Sequence, residues 1–293
     1  MNLQINPGKY IVAVSGGVDS MVLLDMLARA PGMELIVAHY EHGIRTDSDD
    51  DRKLVQAAAA KHGLPFVYER GNLGPGASEA AAREARYAFL RRVRAEHAAH
   101  AIVTAHHQDD VIETAIINMV RGTGPKGLSA LRSTDGMVRP LLDVPKTDLE
   151  RYAQDRRLQW HEDSTNSDER YLRNYVRRRL MSRMSPEQRL ALLRHIDQAA
   201  SQNDEIGRLI TNVRAGRVTA GHIGRGWFIQ LPYDVSRTVL AETLREAGAQ
   251  FDRPGIHRLV VFMKTGALGK RADVDKTHYL EVGKNHIIVG SRP

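Results

Sequence analysis

Two short stretches hold most of the residue types that could do chemistry. The first is Ser15-Gly16-Gly17-Val18-Asp19-Ser20. A β-branched run precedes it and an apolar helical run follows it, so the loop falls at a helix N-terminus. Unbonded N–H groups and the positive dipole end make that a natural phosphate site. Two glycines let the backbone approach an anion closely. Ser15 and Ser20 can add hydroxyl hydrogen bonds. Asp19 would repel a phosphate unless Mg²⁺ lay between them. The plain alternative is a glycine turn with Ser and Asp capping the helix. The second stretch runs from His106 through Asp109, Asp110 and Glu113 to Thr114. Asp109 is the expected helix cap, and Asp110 and Glu113, three apart, share one helix face. These carboxylates could hold a metal or the ammonium group of an amine. A histidine beside them could stabilise charge building on phosphorus. His106 and His107 both precede the helix and lack the i, i+4 spacing of a zinc pair. A merely capped helix start is the alternative here.

Residues this far apart need a scaffold that brings them together. Strands are expected at 10–14, 35–39, 66–69 and 101–105, with helices at 20–30, 48–62, 78–98 and 109–121. Such alternation predicts an α/β fold: a parallel sheet with helices on both faces. Ligands on these sheets lie at the carboxyl ends of the strands, which would place both stretches in one crevice. Gly122–Gly127 matches a dinucleotide G-x-G-x-x-G pattern but follows a helix rather than a strand, so it is read as a loop. The first loop is not a Walker A motif, because no Lys-Ser or Lys-Thr pair follows a suitably spaced glycine. Helices are expected at 146–157, 171–184 and from Pro186 to about Val213. The tail mixes short strands with one helix, 236–247. The expected division is a catalytic domain over 1–185, a helical linker over 186–213 and a small C-terminal α+β domain over 214–293, assigned to tRNA binding.

Arg170, Arg173, Arg177, Arg178, Arg179 and Arg183 crowd one segment. Arg173 and Arg177 are four apart, and their guanidinium forks suit phosphate oxygens. The rest read as a solvated basic face. A net charge of +7 and a pI near 9.7 suit a polyanionic partner or simply a basic surface. The absence of cysteine excludes disulfides and thiol nucleophiles. No stretch has the apolar length of a membrane span, and Met1 to Lys9 do not form a secretory signal, so a cytoplasmic address is expected.

The first loop resembles the PP-loop of the N-type ATP pyrophosphatases, which cleave ATP between the α and β phosphates. The resemblance implies that Ser15, Gly16, Gly17, Val18, Asp19 and Ser20, with His39, hold the nucleotide, and that Asp19 carries Mg²⁺. Without cysteine, the thiol-dependent branches of the group are disfavoured and amine nucleophiles remain. Longer motifs are similar to the tRNA(Ile)-lysidine synthetases. They are His42-Gly43-Ile44-Arg45, Ala82-Arg83-Glu84-Ala85-Arg86-Tyr87, the His106–Thr114 stretch, Arg121–Gly124 with Gly127-Leu128, Arg139–Leu142, and Glu162–Asn166 followed by Arg173-Asn174 and Arg177. That family ligates lysine to C2 of the wobble cytidine in the CAU anticodon of tRNA(Ile), through an adenylated cytidine. By resemblance, Asp19, Arg86, His106, Asp110 and Glu113 are catalytic, and Arg83, Asp110, Glu113, Arg173, Asn174 and Arg177 contact lysine or tRNA. The family also suggests a homodimer. Ile44 and Ser164 depart from its common residues, and the chain resembles its shorter form. Two rivals stay open: another amine-using PP-loop ligase acting on a small molecule, and a non-catalytic nucleotide- or RNA-binding module.

Overall fold

The computed structural model describes residues 3–43, 48–71, 74, 78–161 and 172–292. It divides into two compact units, Met1–Ala200 and Ser201–Pro293.

In the first unit β1 (Gly8–Ala13), β2 (Met33–Glu41), β3 (Phe66–Arg70), β4 (Ala101–Val103) and β5 (Met137–Val138) form one sheet in the order β3-β2-β1-β4-β5. Every pairing in it is parallel. Side chains on a strand alternate between faces, and the burial follows that alternation. Tyr10, Val12 and Val14 join a core with α1 (Val18–Arg29), α2 (Ser48–Lys61) and α6 (Lys146–Asp155). Ile11, Ile36 and Ile102 turn to the other face, where α3 (Glu79–Glu96) covers them with Tyr87, Phe89, Leu90 and Val93. A sheet covered on both faces explains the near-continuous apolar character of its central strands. The chain runs out from β1 toward β2 and β3 on one side, and to β4 and β5 on the other. The order therefore reverses between β1 and β4, and the loops leaving those two strands open at one crevice.

Most expected elements are present with shifted ends. β5 is an addition to the four expected strands: Ile102 and Val103 pair with Met137 and Val138. The Gly122–Gly127 loop closes into a single turn, α5 (Pro125–Leu128), with proline in its first turn. The helix expected from Tyr171 to Met184 is not one helix. Leu172–Tyr175 (α7) is a single α turn, Val176–Leu180 a wider π turn and Met181–Arg183 a 3₁₀ turn. Ile44, Arg45, Glu162–Asn166 and Arg170 lie outside the described residues.

α8 (Pro186–Arg214) is a continuous 29-residue helix. Beyond it β6 (Val218–Thr219), β7 (His222–Gly224), β8 (Arg271–Asp273), β9 (His278–Val282) and β10 (His286–Ser291) form an antiparallel sheet ordered β6-β7-β10-β9-β8. Instead of one helix, three are found: α9 (Arg225–Gln230), α10 (Tyr233–Glu246) and α11 (Arg253–Thr265). Asp252 caps α11 by accepting from Gly255 N, with Pro254 in the first turn. Phe228, Leu240, Leu244, Val260, Met263, Leu280 and Ile287 fill the core beneath the sheet.

Candidate active site

The loop between β1 and α1 is shaped by its own serines. Ser20 Oγ accepts from Ser15 N at 3.2 Å and Gly16 N at 3.3 Å, and donates to Gly17 O at 2.9 Å. That hydroxyl's single hydrogen is thus used inside the loop. Gly17 caps α1 without a side-chain acceptor, so the first amides of the helix are left for a ligand. Gly16 adopts φ +99°, a conformation that favours glycine. Its carbonyl accepts from His161 N at 3.1 Å, and His161 Nδ1 lies 2.7 Å from Asp51 Oδ1 in the first turn of α2. A backbone curled around open amides at a helix start fits the phosphates of a nucleotide.

Asp19 lies in the first turn of α1 and is tied from two directions. Lys146 Nζ, at the start of α6, donates to Oδ1 and Oδ2 at 2.6 and 2.8 Å. His107 Nε2 lies 3.6 Å from Oδ2. Burial pushes the Asp19 carboxyl up, but His107 and the Lys146 ammonium outweigh it and hold it below the usual carboxylate range. The carboxylate is therefore charged and already beside positive charge. Mg²⁺ commonly takes only one or two protein carboxylates when phosphates supply the rest, so Asp19 fits a cation shared with a nucleotide. Among the described residues no group of three or more His, Asp and Glu forms a metal site alone.

The β4 exit supplies the second half. α4 (Gln108–Val120) is capped by His107, not by the expected Asp109. His107 Nδ1 accepts from Asp109 N at 3.2 Å, and Asp110 Oδ2 accepts from His107 N at 3.0 Å. Asp109 is instead paired with Arg189 at 3.1 Å. Burial lowers the His107 pKa, yet the hydrogen bond to Asp19 and the charge of Asp110 raise it beyond its ordinary value. His106 behaves oppositely. Burial pushes it down to about 3; Asp110 opposes this, while Arg139, Arg86 and Arg83 reinforce it. Its Nδ1 lies 2.8 Å from Thr104 Oγ1. His106 is therefore a neutral imidazole near neutral pH, able to donate or accept but not to bring a charge.

Glu113 is fully buried. Arg177 from the π turn grips it with two bonds, Nε–Oε1 at 2.5 Å and Nη2–Oε2 at 3.1 Å. Arg177 Nη2 also lies 3.9 Å from Asp110 Oδ1, and Arg173 Nε lies 3.9 Å from Glu113 Oε2. Burial raises the Glu113 pKa and Arg177 only partly opposes it. Asp110, Glu113, Arg173 and Arg177 thus form one cluster beside Asp19. Asn174 is buried in the same turn, α7.

Arg83 and Arg86 form a separate group. Their guanidinium carbons lie 4.9 and 5.2 Å from the Tyr87 ring centre. Arg86 Nε and Arg139 Nε are buried without a hydrogen-bond partner. Their charges reach Tyr87 and His106. His39, in β2, is buried: Nδ1 sits 2.8 Å from Val14 O and its ring stacks on Tyr68. Its Nε2 is buried without a partner.

Sequence reasoning missed Lys146, Asp51, His161 and the linking role of His107. Lys146 stands 127 residues from Asp19, and nothing local distinguishes it. The one available signal is its place just after the Arg139–Leu142 motif, at the start of a helix behind an edge strand.

Several relatives align with much of the chain. The tRNA(Ile)-lysidine synthase of Ralstonia nicotianae is 36% identical over 281 residues, 89% of this chain and 59% of that protein. The protein of the same name from Exiguobacterium sibiricum is 36% identical over 241 residues, 80% of this chain and 58% of its own length. That from Solibacter usitatus is 35% identical over 195 residues, 66% of this chain and 44% of its own. The chain thus spans about half the length of the curated relatives it matches. In fold it is similar to the U34-tRNA thiolase NcsA of Methanococcus maripaludis, solved with its [4Fe-4S] cluster. The TM-score is 0.52 and the identity 18%, over 66% of this chain and 73% of that one. The PP-loop domain family model matches residues 2–184, more than half of the sequence, so the chain belongs to the PP-loop domain family.

Proposed function

We propose that this chain is a tRNA(Ile)-lysidine synthase, which joins lysine to C2 of the wobble cytidine in a CAU anticodon at the expense of ATP. Family membership implies ATP use. The observation that carries the reading further is the joining of two unlike halves in one crevice. An amide-lined loop bearing Asp19 opens beside Asp110, a carboxylate suited to an amine, with Glu113 buried behind it on Arg177. The relatives named above bear the same activity in their names.

In this scheme the open amides of the first turn of α1 would hold the phosphates, and Asp19 would hold Mg²⁺, which would supply positive charge to them. The cytidine C2 oxygen bonds to the α-phosphorus as the bond to pyrophosphate breaks. Neutral His106 donates a hydrogen bond there, and Arg86 supplies the positive charge that His106 lacks. Lysine then binds with its side-chain ammonium toward Asp110, which takes its proton, while Glu113 holds Arg177 in place behind it. The free amine attacks C2 and AMP leaves with the C2 oxygen. Arg83, Arg173, Asn174 and Arg177 orient lysine and the anticodon. A cytoplasmic homodimer belongs to the same proposal. No helix among the described residues is long and apolar enough to cross a membrane.

Pyrophosphate release, measured with tRNA alone, lysine alone and both, tests this. Release is expected only when tRNA is present. Release with an amine but without tRNA would favour a small-molecule ligase, and no release under any condition would favour a binding module.

A further inference from the structure

The second unit carries a groove that the chemistry above does not use. It lies where the β6–β7 hairpin, the start of α9 and the β9–β10 turn meet, and encloses about 590 Å³ including its open mouth. Arg217, His222, Arg225, Trp227, Asn285 and His286 line it, and none of its ten lining residues is acidic. The strand register fixes this set. His286 is opposite Gly224 and Ile288 is opposite His222, which leaves the His222 and His286 rings 6.1 Å apart.

Some arginines of this unit are already held by carboxylates. Arg214 is paired with Glu242 and Glu246, Arg237 with Asp234, Arg271 with Glu281 and Arg292 with Asp273. Among the described residues Arg217 and Arg225 make no ion pair. Arg225 reaches only the Gly266 carbonyl, at 3.4 Å, and its Nε is buried with no partner at all. Trp227 is half-buried, packs against the core and lines the groove. A fixed indole beside two guanidiniums suits a base with its phosphate.

We infer that this groove binds one unpaired nucleotide of an RNA, with the phosphate on Arg217 and Arg225 and the base against Trp227. The cleft has the size of a small-molecule site and offers one indole, which matches a single splayed nucleotide better than a duplex. Duplex RNA is read mostly by its shape and backbone. The inference deepens the proposed function by placing a tRNA contact away from the crevice, and rests on it only for the identity of the RNA.

Binding to the full chain, followed by Trp227 fluorescence in a Trp160→Phe background and by filter retention, tests it. The probes are an oligouridylate, a blunt duplex RNA, polyglutamate and inorganic phosphate. The oligouridylate is expected to quench Trp227. Arg217→Gln should weaken that binding about tenfold and reduce the salt slope by about one, while leaving ATP affinity unchanged. His222→Gln, away from the Arg225 contacts, should weaken it less. Equal binding of the duplex, competition by polyglutamate, quenching by phosphate alone, or an Arg217→Gln protein with unaltered affinity would each overturn the inference. If the oligouridylate binds as described but no lysine is joined to tRNA, the proposed function fails and the groove stands.

Discussion

Removing either partner of the Glu113–Arg177 pair should have unequal consequences, because only one partner is sealed from water. Glu113 is fully buried and the Arg177 side chain is 39% exposed. Arg177→Ala strands a carboxylate in the interior, and breaking a buried pair in this way costs roughly 3–5 kcal/mol. Arg173 Nε, 3.9 Å away, offsets part of that, so about 3 kcal/mol is expected. Glu113→Gln leaves an arginine that water reaches, and about 1 kcal/mol is expected. At about 2–4 °C per kcal/mol for a chain of this size, the melting midpoint should fall roughly 6–12 °C in the first case and 2–4 °C in the second. The chain has two tryptophans. Trp160 packs on the first core, so a Trp227→Phe background lets it report this unit alone. The pH dependence adds a second check. The folded pKa of Glu113 is raised, so the folded state holds the proton more tightly and loses stability as pH rises through that pKa. Without Arg177 the pKa rises further. The Arg177→Ala deficit should therefore be largest near pH 8 and shrink toward pH 5, and Glu113→Gln added to Arg177→Ala should restore part of the loss. Equal, pH-independent deficits in the two single variants would refute the reasoning.

Three further outcomes follow from the crevice. Lys146→Met should release Asp19, lowering the melting midpoint without nucleotide and strengthening Mn²⁺ binding by the free protein, read by electron paramagnetic resonance; unchanged metal affinity would show Lys146 to be a bystander. Gly16→Ala should cost about 1–3 kcal/mol from backbone strain at φ +99°, since an added Cβ would meet Asp51 only at ordinary contact distance, 3.5 Å; calorimetry should also show weaker ATP binding, and a fully stable variant would contradict the strain. His106, pushed down to about 3, should give nitrogen NMR shifts of a neutral ring from pH 5 to 8, and a titration near 6.5 would remove it as an uncharged donor.

How much was legible depended on how local the determinant was. The run Tyr10–Val14 and the glycine loop after it identify strand, turn and helix from adjacent residues, and the sheet follows from repeating that pattern. Asp109 is a better cap than histidine on average, yet His107 holds the position because Asp110, three residues on, closes a capping box with it and Asp19 anchors the ring from elsewhere in the chain. Lys146 and the Asp51–His161 contact are tertiary by nature and leave no periodic trace. The expectation of a single helix in the second unit passes over Asp252 and the first-turn Pro254, which together make a helix start. The length and core of α11 confirm it, through Ile256, Leu259, Val260 and Met263.

The wide turn at Val176–Leu180 sets a tolerance on chain length. A π turn holds one residue more than the α turn it replaces, so deleting one residue there would let the backbone tighten into ordinary helix. Each residue of an α-helix turns the face by about 100°. Four residues at about that angle close nearly the same turn as the five of the wider one, so the change falls inside the turn: Arg177 is its second residue, and shortening the turn ahead of it would swing its fork away from a carboxylate fixed on another helix. Conservative exchanges along this segment should be absorbed, whereas a change in its residue count should not.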